Sequence, residues 1–148
     1  MPTMNRRSFL QQSAAMVPAV AAARSATANS NGKRIQHAVI GLGGRGNSHC
    51  RLYAAHPECD LAAICDVDPA RIERTRNDVE AAKDIDATQD FRDIINDDSI
   101  DTVSVVTPDH WHTPIALAAL HAGKHVHIEK PCSHTIHEGR VLTETARK

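Results

Sequence analysis

The most constraining stretch is a glycine bend set between an apolar run and a helical one. Gln36 to Ile40 reads as a short buried strand, and Gly41-Leu42-Gly43-Gly44-Arg45-Gly46 follows it directly. Helical spacing then begins, with Leu52 and Ala55 on one face of a helix expected from Ser48 to Ala55. Glycines at 41, 43 and 46 fit the GxGxxG pattern, which is weak alone but gains force from this strand–turn–helix setting. Gly41 permits the tight turn, Gly43 lets backbone approach a pyrophosphate, and Gly46 lets helix and strand pack closely. Backbone N–H groups of Gly43, Gly44, Arg45 and Gly46 at the helix start, together with the helix dipole, suit phosphate. The bland alternative is a turn that only connects strand to helix.

An acidic residue stands where such a turn needs one. Leu61 to Cys65 is a second continuous apolar run, closed by Asp66 twenty residues after Gly46. A carboxylate at that strand end accepts hydrogen bonds from adenosine ribose hydroxyls and repels a 2′-phosphate. Val67, not arginine, follows, so NAD is expected over NADP, although Arg45 and Arg71 leave NADP open.

Strand and helix signals keep alternating. Asp68 can cap a helix opening at Pro69 and running to about Ala82. A short strand is expected at Ile85 to Ala87, a brief helix from Asp90 to Ile95 and a β-branched strand from Thr102 to Val106. A helix from Pro114 to Ala122 is stopped by Gly123, followed by a strand from His125 to Glu129 and a last helix from Thr135 to Arg147. Aromatic residues are only 3% of the chain, so the core is left to Val, Ile, Leu and Ala. The expected fold is α/β: a Rossmann-type, doubly wound parallel sheet with helices on both faces, preceded by a signal segment.

Residues 1–28 read as an address. Arg6-Arg7-Ser8-Phe9-Leu10 is a twin-arginine pattern, Ala14 to Ala23 is weakly apolar, and Ala26-Thr27-Ala28 offers a cleavage site. The apolar run is about half of what spans a bilayer and holds Pro18, so no stable membrane anchor is expected. Export to the periplasm or another extracytoplasmic space follows, with 29–34 a linker and 35–148 the dinucleotide-binding domain. The formal net charge of −1 gives no basic footprint for nucleic acid. Cysteines 50, 59, 65 and 132 form no CxxC pair and are expected to be buried small hydrophobes. His110 with His112 and His125 with His127 invite a metal reading, but no Cys or Glu lies at zinc-motif spacing, and none is expected. Trp111 could stack on a ligand or simply fill space.

Two further motifs lie at strand ends, where open α/β sheets bind ligands. They are Thr107-Pro108-Asp109-His110-Trp111-His112-Thr113-Pro114 and Glu129-Lys130-Pro131. With the glycine bend, they make the chain from about Ile35 to Lys148 resemble the Gfo/Idh/MocA family of NAD(P)-dependent oxidoreductases. The resemblance implies that Lys130 is catalytic, reaching the reacting carbon and its oxygen, with Glu129 near the nicotinamide ribose. It places Thr107, Pro108, Asp109 and His112 beside the cofactor, Asp109 standing where the family more often has Asn. It implies hydride transfer between a sugar or polyol and nicotinamide. Related exported proteins use the same oxidation transiently to cleave glycosides, and a dinucleotide-binding fragment without turnover is a third reading. Family members add a C-terminal α/β domain that carries most substrate contacts and through which they oligomerise. No counterpart is expected before Lys148, so the chain alone is expected to be catalytically incomplete.

Overall fold

A computed structural model describes residues 32–148; the expected signal peptide and the first half of the linker lie outside the described residues. Five parallel strands form one sheet: β1 (Ile35–Ile40), β2 (Cys59–Cys65), β3 (Asp86–Thr88), β4 (Thr102–Val105) and β5 (His125–Ile128). Their order is β3-β2-β1-β4-β5. The chain winds outward from β1 to β3, then returns to the other side of β1 for β4. The topological switch point therefore lies between β1 and β4, where Ile40 pairs with Val105. Ligand crevices of doubly wound sheets open beyond the carboxyl ends of strands at that point.

Helices cover both faces: α1 (Gly44–Ala54), α2 (Pro69–Asp78), α3 (Phe91–Asn96), α4 (Asp109–His121) and α5 (Ile136–Ala146). Period-two alternation in the strands divides the core. Ala38, Ile40, Val103 and Val105 pack with Ile94, Ile115 and Ala119 on one face. Val39, Leu61 and Ile64 pack with Leu42, Cys50, Ile72 and Val79 on the other.

Local chemistry accounts for most boundaries. Asp68 caps α2, its carboxylate accepting from the Ala70 N–H at 2.9 Å. Gly123, at φ +75°, closes α4: its N–H donates to Leu120 O and that of Lys124 to Ala119 O, the paired bonds of a Schellman stop. Thr135 and Glu138 form a reciprocal capping box on α5.

Several expectations need correcting. Helix α1 starts at Gly44 rather than Ser48, so the glycine bend runs straight into its first turn. Its buried face is Gly46, Asn47, His49 and Cys50, while Leu52 is 59% exposed. Helix α2 ends at Asp78, and a separate 3-10 turn covers Glu80–Ala82. Helix α4 starts at Asp109, so the stretch read as a loop up to Pro114 is helical. Pro108 supplies a pre-set φ of −56° just before the first turn. Pro114, inside the helix, withholds one N–H from the ladder.

Cys50, Cys59 and Cys65 are buried as expected, but Cys132 is exposed, because Pro131 ends the sheet-covered stretch and the chain emerges there. Burial pushes the Cys50 and Cys65 thiols up to about 12 and raises that of Cys59. A thiol reagent on the native chain is therefore expected to modify Cys132 rapidly and the other three only after unfolding. More than one fast thiol per chain would contradict this burial.

Candidate functional site

The glycine bend closes against two neighbouring strand ends. Gly41 has φ +95°, and a Cβ there would stand 2.7 Å from the Thr107 backbone nitrogen and the Val106 carbonyl carbon. A Cβ on Gly46 would stand 2.0 Å from the Gly41 carbonyl oxygen. Both glycines are thus required by backbone-on-backbone packing. Gly43 differs: its nearest neighbour would be the flexible end of Arg71 at 3.3 Å, and around Gly44 there is open space. No side chain caps α1, and its first turn carries no acidic residue. Its N-terminal N–H groups and dipole are therefore available to an anion.

Asp66 is fastened to this bend. Its Oδ2 accepts from the Leu42 N–H at 2.7 Å, and its Oδ1 from the Asp68 N–H at 3.0 Å. Gly41, Gly43, Asp66, Thr107 and Pro108 line one cleft of about 680 Å³, together with Arg71, Phe91 and Trp111. That volume suits a small-molecule or cofactor site. Trp111 is 46% exposed and lies 6.4 Å from Phe91 between ring centroids, so it forms cleft wall rather than core. On the cleft floor the Thr107 hydroxyl is buried without a hydrogen-bond partner. An orphaned hydroxyl, an uncapped helix start and a glycine open toward the cleft all fit a phosphate-bearing ligand.

Other candidate residues form a second group at the same strand ends. Arg45 Nε donates to Glu129 Oε1 at 2.6 Å, and His49 Nε2 lies 3.2 Å from the same oxygen. Glu129 Oε2 accepts from the Lys130 backbone N–H at 3.0 Å. The Arg45 hydrogen bond first, then those from Lys130 and His49, holds the Glu129 carboxyl down at about 2. Lys130 is exposed just past β5, and its bond to Pro131 is cis. His112 is buried on α4, its ring nitrogens 2.7 Å from Pro131 O and 2.8 Å from Thr107 O, so it ties the two motifs together. Asp109 turns elsewhere: its Oδ2 lies 3.2 Å from His134 Nδ1, and that hydrogen bond leads the lowering of its pKa. Gly44, Arg45, Gly46, Asp109, His112, Glu129 and Lys130 are not among the cleft-lining residues.

Sequence reasoning missed His37, His49, Tyr53 and Ser104. His37, His49 and Ser104 form a buried polar layer beneath Glu129, and the half-buried Tyr53 stacks on His37 at 3.5 Å. A signal existed: His37 directly precedes Ala38-Val39-Ile40 and Ser104 stands between Val103 and Val105, both polar at inward-facing positions.

This fold and cleft define a dinucleotide-binding domain of the doubly wound class. The profile of the oxidoreductase family with an NAD-binding Rossmann fold, Gfo/Idh/MocA, matches residues 35–148, and the chain belongs to that family. A glycosyl hydrolase family 109 protein of Saccharopolyspora erythraea is 37% identical over 116 residues, covering 74% of this chain and 25% of that protein. Glycosyl hydrolase family 109 protein 2 of Shewanella sp. (strain ANA-3) is 34% identical, covering 99% of this chain and 38% of its own length. The chain thus spans between a quarter and two-fifths of these curated relatives. Among solved structures, levoglucosan dehydrogenase in complex with NADH and levoglucosan matches with a TM-score of 0.71 and 29% identity, over 78% of this chain and 33% of that one. The apo scyllo-inositol dehydrogenase of Lactobacillus casei matches with 0.69 and 28%, again over 78% of this chain and 33% of its own. The chain is therefore the NAD-binding domain of an oxidoreductase family.

Proposed function

We propose that the chain holds NAD along the crevice between β1 and β4 and serves an oxidoreductase whose substrate is a sugar or polyol. The observation that carries this is the 2.7 Å bond from the Leu42 N–H to Asp66, which binds the phosphate bend and the ribose-reading acid into one cleft. In this reading the start of α1 receives the pyrophosphate and Asp66 the adenosine ribose. Glu129 and Lys130 stand at the nicotinamide end. The bound dinucleotide supplies a hydride acceptor or donor. The chain's own contribution is orientation and charge: in the reducing direction an ammonium on Lys130 beside the substrate oxygen stabilises the alkoxide formed as hydride adds to the carbonyl. A neutral amine there would instead move the proton. The substrates named for the structural neighbours, levoglucosan and scyllo-inositol, are polyhydroxylated rings, which supports the substrate class.

The relatives named as glycosyl hydrolases favour a second reading: the same oxidation, made transient, would ease elimination of a glycoside's leaving group. Glycoside cleavage without net NADH would mark it.

Titration with NADH tests the cofactor reading. Trp111 is the one tryptophan of the sequence and lines the cleft, so its emission is expected to fall as NADH binds. Asp66→Asn keeps one acceptor oxygen but removes the charge. It is expected to weaken NADH about tenfold and to move preference toward NADPH, since a charge-assisted bond contributes about 1.5–3 kcal/mol. Unchanged Trp111 emission with NADH would reject the reading.

A further inference from the structure

Beneath Glu129, polar side chains run in single file between the sheet and α1. Thr102 Oγ1 hydrogen-bonds His37 Nδ1, and His37 Nε2 lies 3.0 Å from Ser104 Oγ. Ser104 Oγ lies 3.1 Å from His49 Nδ1, and His49 Nε2 lies 3.2 Å from Glu129 Oε1. His37, Ser104 and His49 are all buried, so the protein alone satisfies these bonds. The backbone sets the file: Thr102 on β4 stands opposite His37 on β1, Ser104 lies two residues further along the same face of β4, and His49 descends from α1, three residues after Gly46.

Proton accounting gives the file a direction. An ionised carboxylate only accepts hydrogen bonds. The His49 Nε2 therefore carries the proton of its bond to Glu129. In a neutral ring Nδ1 is then an acceptor, so the Ser104 hydroxyl donates to it. Ser104 Oγ in turn accepts from the His37 Nε2–H, and His37 Nδ1 accepts from the Thr102 hydroxyl. One charge at Glu129 thus orders four bonds, all pointing toward it.

The same accounting applies to Glu129. A carboxylate offers about four acceptor positions. Arg45 and His49 occupy both positions on Oε1, and the Lys130 N–H occupies one on Oε2. One position is left, on Oε2, beside Lys130. We propose that His49 is a positioning residue for Glu129: with Arg45 it saturates Oε1, leaving Oε2 as the single acceptor for a ligand hydroxyl, while Ser104 fixes the tautomer in which His49 can do this. This rests on the dinucleotide reading, in which that hydroxyl belongs to the nicotinamide ribose. The ionisable groups around His49 are Glu129 and Arg45 above it, His127 on β5 at 4.9 Å between ring centroids, Tyr53 on its own helix, and His37.

Nitrogen-15 NMR of histidine-labelled chain without cofactor reads the tautomer directly near neutral pH. The expected result is His49 protonated at Nε2 alone, and His37 likewise. A His49 ring protonated at Nδ1 alone or at both nitrogens would overturn the proposal. NADH titration of two variants supplies the second arm. His49→Phe keeps volume without a donor and is expected to weaken NADH about tenfold. His49→Gln places an amide N–H near the former Nε2 and is expected to bind within about twofold of the native chain. A purely structural role predicts no such rescue. Native binding with undiminished affinity in His49→Phe sinks the proposal alone. Failure of the native chain to bind NADH sinks the dinucleotide reading and this proposal together.

Discussion

Gly46→Ala is expected to destabilise the domain by about 3 kcal/mol or more, the upper end of what overpacking costs. The new methyl would stand 2.0 Å from the Gly41 carbonyl oxygen, well inside contact distance. That carbonyl cannot retreat easily, because the Gly41 N–H is bonded to Cys65 O at 2.8 Å and the same residue is wedged against Thr107. Gly41→Ala belongs to the same class and adds the cost of a positive φ, about 1–2 kcal/mol. Gly44→Ala meets nothing within 4 Å and is expected to leave stability unchanged or slightly raised. Gly43→Ala separates the two roles of the bend. Its Cβ displaces only the end of Arg71, so the fold should persist, while NADH affinity falls by about tenfold to a hundredfold. Urea midpoints with NADH titrations over the four variants test the series. A Gly46→Ala chain as stable as the native one would show that the bend is looser than its geometry indicates.

Legibility in the sequence followed the range of the interactions. The parallel sheet, the glycine bend and Asp66 were readable because each depends on period, spacing or a single local turn. Residues placed by contacts distant along the chain were not. Leu52 looked like a core residue at helical spacing, yet the face of α1 turned inward carries His49 and Asn47, because the sheet beneath presents His37 and Ser104. Pro114 argued for a loop before it, since proline is poorly tolerated inside helices. Pro108 and the Asp109–His121 helix overrode this at the loss of one ladder bond. Cys132 looked like the other cysteines because composition says nothing about where the covered sheet ends.

The candidate site shows the same division. Asp66, Gly41, Gly43, Thr107 and Pro108 converge on the cleft as their positions at strand ends imply. The backbone of Arg45 lies in the first turn of α1, at the glycine bend, while its side chain crosses to Glu129, 84 positions away in sequence. No local pattern reports such a pairing. Asp109 sits inside a recognisable motif, and its carboxylate engages the His110 backbone N–H and the His134 ring, contacts that the motif alone does not report.

Acid is expected to weaken the fold earlier than carboxylate protonation would, and His37 is the reason. Burial first, and the neighbouring His127 and His49 second, hold its imidazole down from 6.5 to about 3. The unfolded chain takes up a proton on this residue below about pH 6.5, while the folded chain refuses it until about pH 3. Stability linked to His37 is therefore complete above that window and falls with pH through it. The slope is about 1.4 kcal/mol per pH unit, so roughly 3 kcal/mol is lost by about pH 4.5. Glu129 acts lower down: its depressed carboxyl contributes above about 4.5, and that contribution is lost as pH falls toward about 2. The two windows overlap only below about 4.5, so destabilisation that begins between about 6.5 and about 4.5 is the part that distinguishes His37. His37→Gln retains hydrogen-bonding capacity toward Thr102 and Ser104 but does not titrate. Its urea midpoint should fall less across the upper window than that of the native chain, the remainder coming from His127, which burial also holds below its ordinary value. If both chains lose stability in parallel between neutrality and about pH 4.5, the buried imidazole is not the cause. Protonation of His37 would also strip Nδ1 of its lone pair and turn the file of hydrogen bonds under Glu129 at its first link. The same measurement therefore reports whether that buried layer stays neutral while the fold is intact.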